Sequence, residues 1–500
     1  MTTLLTSTNL QLYPKSIVNY KGVEYGMAHS PSGAQLVVLE PQSTTLLEAF
    51  EGEISEINGH MLLVGPQSAH NASSLRIHLP WLQPKLLGLN TSAGMGDRLG
   101  IATPGHVRAL CEARGRIAPI FAQQSIREMT RTGRNPQQVI DDATWGVFEE
   151  GWQGNMGADA DHLKSSDDID ACLAAGFTSY TIDPGGYVDN SSQSDGLNTL
   201  NEKAQRLPAR LQLKQTGLLG KTFNFEEIQL VLDEPTLLKA MVKYGKAIAH
   251  VVSMVEHLKR VAKNHPFEVE ISMDETELPT SPAEHVYIAS ELQRLGVRWI
   301  SFAPRFVGRF EKGVDYIGDV HAFEADLAIH AAIARQFGPY KLSLHSGSDK
   351  FSIYPVFMEK TQGLAHLKTA GTSYLEALRT IAATDKELFR EIYSFALERF
   401  ETDKQSYLIS GQISQAPKPD RISDWSSLLD QFDAREILHV TYGSVLTEKV
   451  DGVNLRFYDR LMSILGSNRE LFFRNLVNHF RRHLAPFSSD KYLLRGNDHG

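Results

Sequence analysis

Residues 340–355 carry a short strand pattern that runs into a cluster of polar and ionisable side chains. Two leucines alternate there with Lys341, Ser343 and His345, so strand geometry places His345 on a polar face at the carboxyl end of the strand. Parallel α/β folds build their sites at such ends, where a histidine offers a metal ligand and the nearby Lys350 an anion contact. The plain alternative is a hydrogen-bonded histidine in the core.

Residues 157–164 (Gly-Ala-Asp-Ala-Asp-His-Leu-Lys) place two carboxylates and an imidazole at the end of another strand pattern. Such a mixture of oxygen and nitrogen donors suits a divalent metal ion. Strand alternation puts Asp159 and Asp161 on one face and His162 on the other, unless the strand ends first. Because Asp-x-Asp also occurs in plain turns, the metal interpretation depends on His345 and the other strand ends.

Several strand patterns end in the same way. Small or polar residues occupy alternate positions, so that they share one face of the strand, and an ionisable residue comes last. The pairs are Thr181 and Asp183, Ser272 and Asp274 followed by Glu275, Ser301 and Arg305, Ser343 and His345, and His366 and Lys368. A single charged strand end is usually just solvated. Their repetition in one chain predicts that these side chains converge at one mouth.

Strand-like runs alternate with amphipathic helical stretches from residue 86 onward. The eight runs are 86–91, 117–124, 154–161, 179–184, 267–274, 297–305, 341–345 and 365–370. The helical stretches include 136–150, 237–263, 282–295 and 320–337. Repeated βα units predict a parallel sheet, and eight of them predict an α/β fold of the (β/α)8 TIM-barrel type.

The barrel is expected to span residues 81–380, after a small β-rich segment at 1–80. Residues 381–500 are expected to form a mainly helical extension packed on the outside of the barrel, with one strand-like piece at 437–445. The long polar stretch 185–225 is expected to be a βα loop insertion that could cover the barrel mouth.

Composition and charge limit the classes of function. A net charge of −9 without a basic stripe disfavours binding to nucleic acids or anionic membranes. Two cysteines, Cys111 and Cys172, give no disulfide framework and no thiolate metal site. The amino terminus lacks a signal-peptide pattern, and no apolar run approaches a membrane span. We expect a cytoplasmic protein, whose oligomeric state the sequence leaves open.

Two further histidines lie in the helical stretch 320–337. His330 shares helical spacing with apolar residues and is expected to be structural. His321 opens the helix, where it is either a fourth metal ligand or simply exposed, and exposure is favoured.

Three segments carry a family resemblance: residues 88–100 (Gly-Leu-Asn-Thr-Ser-Ala-Gly-Met-Gly-Asp-Arg-Leu-Gly), residues 157–164, and residues 344–351 (Leu-His-Ser-Gly-Ser-Asp-Lys-Phe). Together they resemble the tagaturonate epimerase family over most of the chain. The resemblance implies a metal-dependent interconversion of D-tagaturonate and D-fructuronate, with activity on the related ketohexoses fructose and tagatose in some members. The expected partner is therefore a small sugar acid.

The implied substrates differ at C3, while their ketone lies at C5, so simple deprotonation next to the ketone cannot invert C3. Retro-aldol cleavage of the C3–C4 bond can, with a divalent metal as Lewis acid. The strand-end argument makes His162, His345 and either Asp274 or Glu275 the metal ligands, with Asp274 preferred. Asp161 and Glu275 are then the acid and base candidates.

The remaining strand-end residues are expected to bind substrate: Arg305, Lys350, Lys368 and Asp183. The cation is Zn, Mn, Co or Ni, and the sequence does not choose between them. One alternative is an aldolase-type enzyme in which Lys368 forms a Schiff base with the ketone. Another is a sugar-acid-binding protein without turnover.

Overall fold

The chain is described here by a computed structural model, which covers residues 1, 10–30, 33–41, 45–113, 117–226 and 228–488 of the 500. Among these residues, none of the helices is both long and apolar enough to cross a membrane.

An antiparallel sheet opens the chain. Its strands are β1 (Gln11–Leu12), β2 (Val18–Tyr20), β3 (Val23–Ser30), β4 (Gly33–Glu40), β5 (Glu53–Ile57) and β6 (His60–Pro66). The order is β1-β3-β4-β6-β5, with β2 also paired to β3. Alternation along β4 gives the sheet two apolar faces, because Leu36 and Val38 join the main core whereas Val37 and Leu39 belong to a separate small core.

A closed parallel barrel follows. Its strands are β7 (Ser92–Met95), β8 (Ala118–Ser125), β9 (Gly157–Leu163), β10 (Ser179–Ile182), β13 (Glu268–Ser272), β14 (Ser301–Ala303), β15 (Lys341–Leu344) and β16 (Ala365–Thr369). Neighbours follow chain order, and β16 closes the ring against β7. A hairpin of β11 (Thr222–Phe225) and β12 (Ile228–Val231) interrupts the series. The predicted (β/α)8 barrel is confirmed.

The helices lie around the barrel and beyond it: α1 (Ala69–His78), α2 (Thr103–Ala113), α3 (Ile126–Thr132), α4 (Pro136–Glu149), α5 (Ser166–Ala175), α6 (Leu197–Gln205), α7 (Leu213–Thr216), α8 (Glu234–Ala262), α9 (Pro282–Arg294), α10 (Val320–Phe337), α11 (Tyr354–Thr361), α12 (Thr372–Thr384), α13 (Lys386–Asp403), α14 (Phe432–Val440), α15 (Tyr442–Thr447), α16 (Tyr458–Ser467) and α17 (Arg469–Leu484). Local sequence fixes several starts. Asn135 and Ser281 form capping boxes before α4 and α9, each with proline in the first turn.

The first predicted strand, at 86–91, is wrong. Those residues form a turn in which Gly88 has a φ of +56°, and the strand begins only at Ser92. The Glu268 carboxylate holds the turn by accepting hydrogen bonds from the backbone N–H groups of Leu87 and Gly88. The run resembles a strand because it is apolar, but its backbone donors are satisfied by a side chain and not by a neighbouring strand.

The strand-like piece predicted at 437–445 is helical and spans the end of α14 and the start of α15. Ile437, Val440 and Val445 are all buried. A short helix that is buried all round shows a continuous apolar run, and such a run does not distinguish helix from strand.

The stretch 185–225 is not an open loop. It contains α6, α7 and three short 3-10 turns, at Gly185–Tyr187, Asn190–Gln193 and Ala209–Leu211. Leu200 and Ala204 of α6 are buried in the main core. Asn190, near the start of the stretch, lines the barrel mouth.

The helical extension packs tightly on the barrel helices. A Cβ atom added to Gly105 of α2 would lie 2.5 Å from Cδ1 of Leu476 on α17, so glycine permits this close approach. The Arg98 guanidinium, bonded to Glu128, lies 3.5 Å from the ring centroid of Tyr442 on α15. The extension also lines the barrel mouth with Tyr407, which the sequence analysis did not foresee.

Candidate active site

Ionisable side chains fill the interior of the barrel. The Lys368 ammonium on β16 lies 2.7 Å from carboxylate oxygens of Asp159, Asp161 and Glu270, and it donates a 2.6 Å hydrogen bond to Thr181. Burial opposes the charge of Lys368, but the three carboxylates raise its pKa well above the usual range. Lys368 is therefore a fully paired cation at the floor of the site.

A one-residue bulge at the end of β9 redirects His162. The register against β10 shifts so that Tyr180 pairs with Ala160 but Ile182 pairs with Leu163. His162 has a φ of +54°, an unusual conformation for a residue with a side chain. Because the bulge adds a residue, Asp161 and His162 both reach the mouth, where strand alternation alone would separate them.

Asp274 lies between two imidazoles. Its Oδ1 atom is 3.0 Å from Nδ1 of His345 and 3.6 Å from Nε2 of His162. The two imidazole rings are 5.0 Å apart between centroids. Ser272 donates a hydrogen bond to the same carboxylate from the end of β13. The three residues that the sequence predicted as metal ligands thus converge, with their donor atoms within 4.8 Å of one another.

The second nitrogen of each imidazole is held by a different buried carboxylate. Nδ1 of His162 contacts Asp161 at 2.9 Å, and Nε2 of His345 contacts Glu270 at 2.6 Å. This leaves Nε2 of His162 and Nδ1 of His345 directed toward Asp274. Metal-binding histidines are oriented in this way by carboxylates behind them. The donor set therefore fits a divalent cation.

Glu275 and Asp183 lie on one side of the mouth, among cations. Arg127 lies 2.8 Å from Glu275, and Lys164 lies 3.1 Å from Asp183 and 3.6 Å from Glu275. Burial opposes ionisation, but His162 and Arg127 keep the pKa of Glu275 below its usual range. Glu275, Asp183 and His162 also satisfy the spacing of a metal site, yet both acids already have cationic partners, Lys164 at Asp183 and Arg127 at Glu275.

Arg305 and Lys350, both predicted to bind substrate, lie in different environments. Arg305 lines a mouth cavity of about 350 Å³, and its Nε atom is buried without a partner among the described residues. The Lys350 ammonium is buried and donates hydrogen bonds to the carbonyl oxygens of Glu311, Val314 and Ser348. The structure therefore does not bring Lys350 to the substrate side; it braces the surrounding loops.

The two helix α10 histidines lie away from the mouth. The His321 side chain is 95 % exposed and its imidazole lies 3.9 Å from the Glu324 carboxylate, outside the cluster of candidate ligands. His330 is buried, and its Nδ1 lies 2.8 Å from Nδ1 of His285. These surroundings are those of a structural residue.

A second cluster of potential ligands, Asp349, His479 and His483, fastens α17 to the loop after β15. Nε2 of His483 accepts a 2.9 Å hydrogen bond from the Asp349 backbone, and its Nδ1 lies 3.1 Å from the His479 carbonyl oxygen. Arg435 lies 3.2 Å from the Asp349 carboxylate. Both nitrogens of His483 are therefore used within the protein.

Comparisons with known proteins show which family the chain belongs to. A sequence profile of the tagaturonate epimerase family matches residues 13–487. A tagaturonate/fructuronate epimerase of Thermotoga maritima is 42% identical over 476 residues, which cover 95% of this chain and 96% of that protein. The chain belongs to the tagaturonate epimerase family.

Solved structures agree with this family assignment. The native crystal structure of a fructuronate-tagaturonate epimerase from Cohnella laeviribosi is 38% identical, with a TM-score of 0.91 and coverage of 97% of this chain and 98% of that one. A one-glycerol complex of the same epimerase gives 38% identity, a TM-score of 0.90 and 96% coverage of both chains.

In this member of the tagaturonate epimerase family, sequence reasoning missed at least four residues at the site, among them Arg127 of α3, which pairs with Glu275. Glu270 shares strand parity with Ser272 and Asp274, so the same pattern could have revealed it, but it lies inside the strand and not at its end. Lys312 lies in the loop after β14, and Tyr407 lies in the helical extension. Neither follows a periodic pattern, so only the folded structure shows that they reach the mouth.

Proposed function

We propose that the protein interconverts D-tagaturonate and D-fructuronate by inverting C3, with a divalent metal ion. The observation that carries the proposal is the convergence of His162, Asp274 and His345, each imidazole backed by its own carboxylate. The family membership supplies the substrate pair. The expectation of a cytoplasmic enzyme belongs to this proposal too.

His162, Asp274 and His345 would hold the metal ion. Two imidazoles and a carboxylate favour Zn, Mn, Co or Ni over a hard cation that prefers oxygen alone. When bound, the ion supplies Lewis-acid stabilisation of the negative charge that develops on the ketone oxygen.

Glu275 is the better placed of the two acid–base candidates. Both Asp161 oxygens are engaged, one by His162 and Lys368 and the other by Gln123. The Glu275 side chain is 30 % exposed at the cavity and is oriented by Arg127. We therefore assign the base to Glu275, while Asp161 positions His162.

The proposed reaction breaks and re-forms the C3–C4 bond. Glu275 accepts the proton of the C3 hydroxyl as the bond breaks, C3 becomes an aldehyde, and the other fragment becomes an enediolate. Rotation of the aldehyde presents its opposite face, the bond re-forms, and Glu275 returns the proton. Arg305 holds the substrate carboxylate, so the fragment that carries the aldehyde stays in the cavity.

Solvent isotope labelling tests this route. The hydrogen on C3 never leaves its carbon during cleavage, so turnover in heavy water should give the epimer without deuterium at C3. Nuclear magnetic resonance of the product measures the label. Deuterium that enters C3 at the rate of epimerisation would show direct deprotonation instead.

The Schiff-base alternative requires a neutral Lys368 amine that can attack the ketone. The ion pairs with Asp159, Asp161 and Glu270 hold this amine as a buried cation, which disfavours the attack. Borohydride added with substrate should therefore trap no adduct by mass spectrometry, whereas an adduct at Lys368 would revive the aldolase mechanism. A binding protein without turnover would fail the epimerisation assay itself.

A further inference from the structure

The Arg127 guanidinium connects Glu275 to the helical extension. Among the described residues it forms one hydrogen bond, 2.8 Å long, from Nη2 to the Glu275 carboxylate. Its Cζ atom also lies 5.6 Å from the ring centroid of Tyr407, within the range of a cation–π contact. A planar cation with a single hydrogen bond can pivot about that bond, so a second contact is needed to fix its orientation.

Tyr407 is itself held by a second arginine of α3. Arg131 donates a hydrogen bond from Nη1 to the Tyr407 hydroxyl and another, 2.6 Å long, from Nη2 to the Ser406 hydroxyl. The Cζ atom of Arg131 lies 4.9 Å from the Tyr407 ring centroid. Because Arg127 and Arg131 are four residues apart on one helix, they share a face, and a single ring contacts both guanidinium groups.

The chain after Tyr407 is fastened independently of these arginines. The Glu311 carboxylate accepts two hydrogen bonds of 2.7 Å from Ser410, one from its backbone N–H and one from its hydroxyl. Both flanks of the ring are therefore bonded to the barrel, through Ser406 on one side and Ser410 on the other. The ring presents a fixed surface to Arg127.

We propose that Tyr407 is a positioning residue for the epimerisation: its ring fixes Arg127, and Arg127 in turn holds the Glu275 carboxylate at the cavity. This inference rests on the proposed function, in which Glu275 is the base. A base must lie within hydrogen-bond reach of the proton that it accepts. The Lys164 ammonium, 3.6 Å from the same carboxylate, would draw Glu275 away if Arg127 moved. The helical extension thus supports the reaction through a side chain of the barrel.

Steady-state kinetics of tagaturonate epimerisation by the metal-loaded protein test this role. Tyr407→Leu should lower kcat about ten-fold and change KM by less than about two-fold, because the lost contact aligns the base and does not bind substrate. Tyr407→Phe keeps the ring and should retain most of kcat. A rise in KM alone, or equal losses in the two variants, would overturn the proposal, since the side chain would then contact the substrate directly.

A double-mutant cycle shows whether Tyr407 acts through Arg127. Arg127→Met alone should lower kcat at least as much as Tyr407→Leu does. Adding Tyr407→Leu to Arg127→Met should then cause no further loss, because the contact is already absent. Losses that multiply in the double variant would mean that Tyr407 acts independently of Arg127, contrary to the proposal.

Tyr393→Leu is the matched control in the extension. Tyr393 of α13 is buried, and its hydroxyl donates a 2.8 Å hydrogen bond to the carbonyl oxygen of Pro417. Its replacement should lower the melting temperature and leave kcat unchanged. A loss of kcat as large as in Tyr407→Leu would indicate a general loosening of the extension and count against a specific role of Tyr407.

If Tyr407→Leu does not fold, Arg131→Met takes its place, because it releases the ring without changing it. This variant should lower kcat about three-fold in the wild type and have no effect in the Arg127→Met background. An unchanged kcat in folded Arg131→Met would then refute the proposal.

Glu275→Gln separates this inference from the proposed function. Removal of the base should lower kcat by at least about a hundred-fold, and full turnover in this variant would refute the proposed role of Glu275. The positioning contact is tested apart from turnover by a crystal structure of Tyr407→Leu, in which Arg127 should no longer bond to Glu275. An unchanged hydrogen bond between them in that structure would overturn the inference even if Glu275 is the base.

Discussion

Each imidazole at the mouth has one nitrogen bound to a buried carboxylate, and this pairing decides which nitrogen remains for a metal. Asp161 holds Nδ1 of His162, whereas Glu270 holds Nε2 of His345. The two histidines therefore use opposite nitrogens. A carboxylate that accepts a hydrogen bond from one nitrogen also makes the other a better electron donor.

His345→Ala should lower metal affinity by at least about a hundred-fold and abolish most turnover, because it removes a ligand and one of the hydrogen-bond partners of Glu270. Elemental analysis of the purified protein and an epimerisation assay measure the two effects. His330→Ala is the control, since His330 is buried but bonds to His285 away from the mouth. It should cost about 1–3 kcal/mol in urea unfolding with metal content unchanged. Normal metal content and rate in His345→Ala would refute the assignment.

Many of the individual site residues could be predicted from sequence alone. The alternation of side chains along each strand identified His345, Asp274 and Asp161, because the carboxyl ends of parallel strands share one edge of a barrel. It did not reveal that Asp161 would be tied to Lys368. Nor could it show that the Lys350 ammonium turns away from the mouth and bonds to backbone carbonyl oxygens, because a charged residue next to a strand end can point either way.

At the scale of elements, the bulge in β9 is the feature that strand periodicity could not supply. A regular strand would direct only one of Asp161 and His162 inward. The extra residue and the left-handed conformation of His162 bring both to the mouth. Removing one residue from this bulge would restore regular pairing and take His162 out of the site.

Residues 404–411 form a segment over the mouth, and a pair of acids fastens it. Glu311 accepts hydrogen bonds from the backbone and the hydroxyl of Ser410, and Glu436 accepts one from the Gly411 backbone. Burial and the adjacent Glu311 raise the pKa of Glu436 to about 8. The folded protein therefore keeps a proton on Glu436 that the unfolded chain releases in the usual glutamate range.

This proton predicts a pH dependence. As pH rises from the usual glutamate pKa toward 8, the unfolded chain loses the proton first, so Glu436 makes the fold progressively less stable. Glu436→Gln keeps the hydrogen bonds and removes the titration. The free energy of unfolding of the variant should gain about 3 kcal/mol on the wild type between pH 5.5 and 8 and run nearly parallel to it above about pH 9.

Urea unfolding at pH 5.5, 7, 8 and 9 measures this difference. Glu398→Gln, an exposed acid on α13, is the control and should follow the wild type throughout. A constant difference between Glu436→Gln and the wild type from pH 5.5 to 8 would show that Glu436 is already ionised in the folded protein.

For the whole molecule, the barrel and the helical extension are expected to unfold together. Leu476 packs against Gly105, Tyr442 stacks on Arg98, and His483 caps the backbone of Asp349. Such buried contacts leave the extension no independent core. Circular dichroism and tryptophan fluorescence should therefore report one coincident urea transition, and a chain that ends at residue 380 should not fold. Two separated transitions would show independent domains.

The sequence predicted the barrel because eight βα repeats leave few other topologies. It placed the first strand too early, at residues 86–91, because an apolar run that is held by the Glu268 side chain looks like a strand. It predicted a helical extension outside the barrel but not that part of this extension reaches the mouth, because helical periodicity shows which face is apolar but not which neighbour that face meets. Long-range contacts such as Tyr407 with Arg127 have no local signal.

The position of Tyr407 also bears on how the protein is made on the ribosome. His162, Asp274, His345 and Lys368 are all synthesised before the segment that lines the mouth, and domains generally fold from the amino terminus during synthesis. A nascent or prematurely terminated chain would therefore contain the ligands without the wall that encloses the cavity. On the proposed cleavage route, the sugar fragments would therefore be enclosed only in chains that have been translated past residue 411.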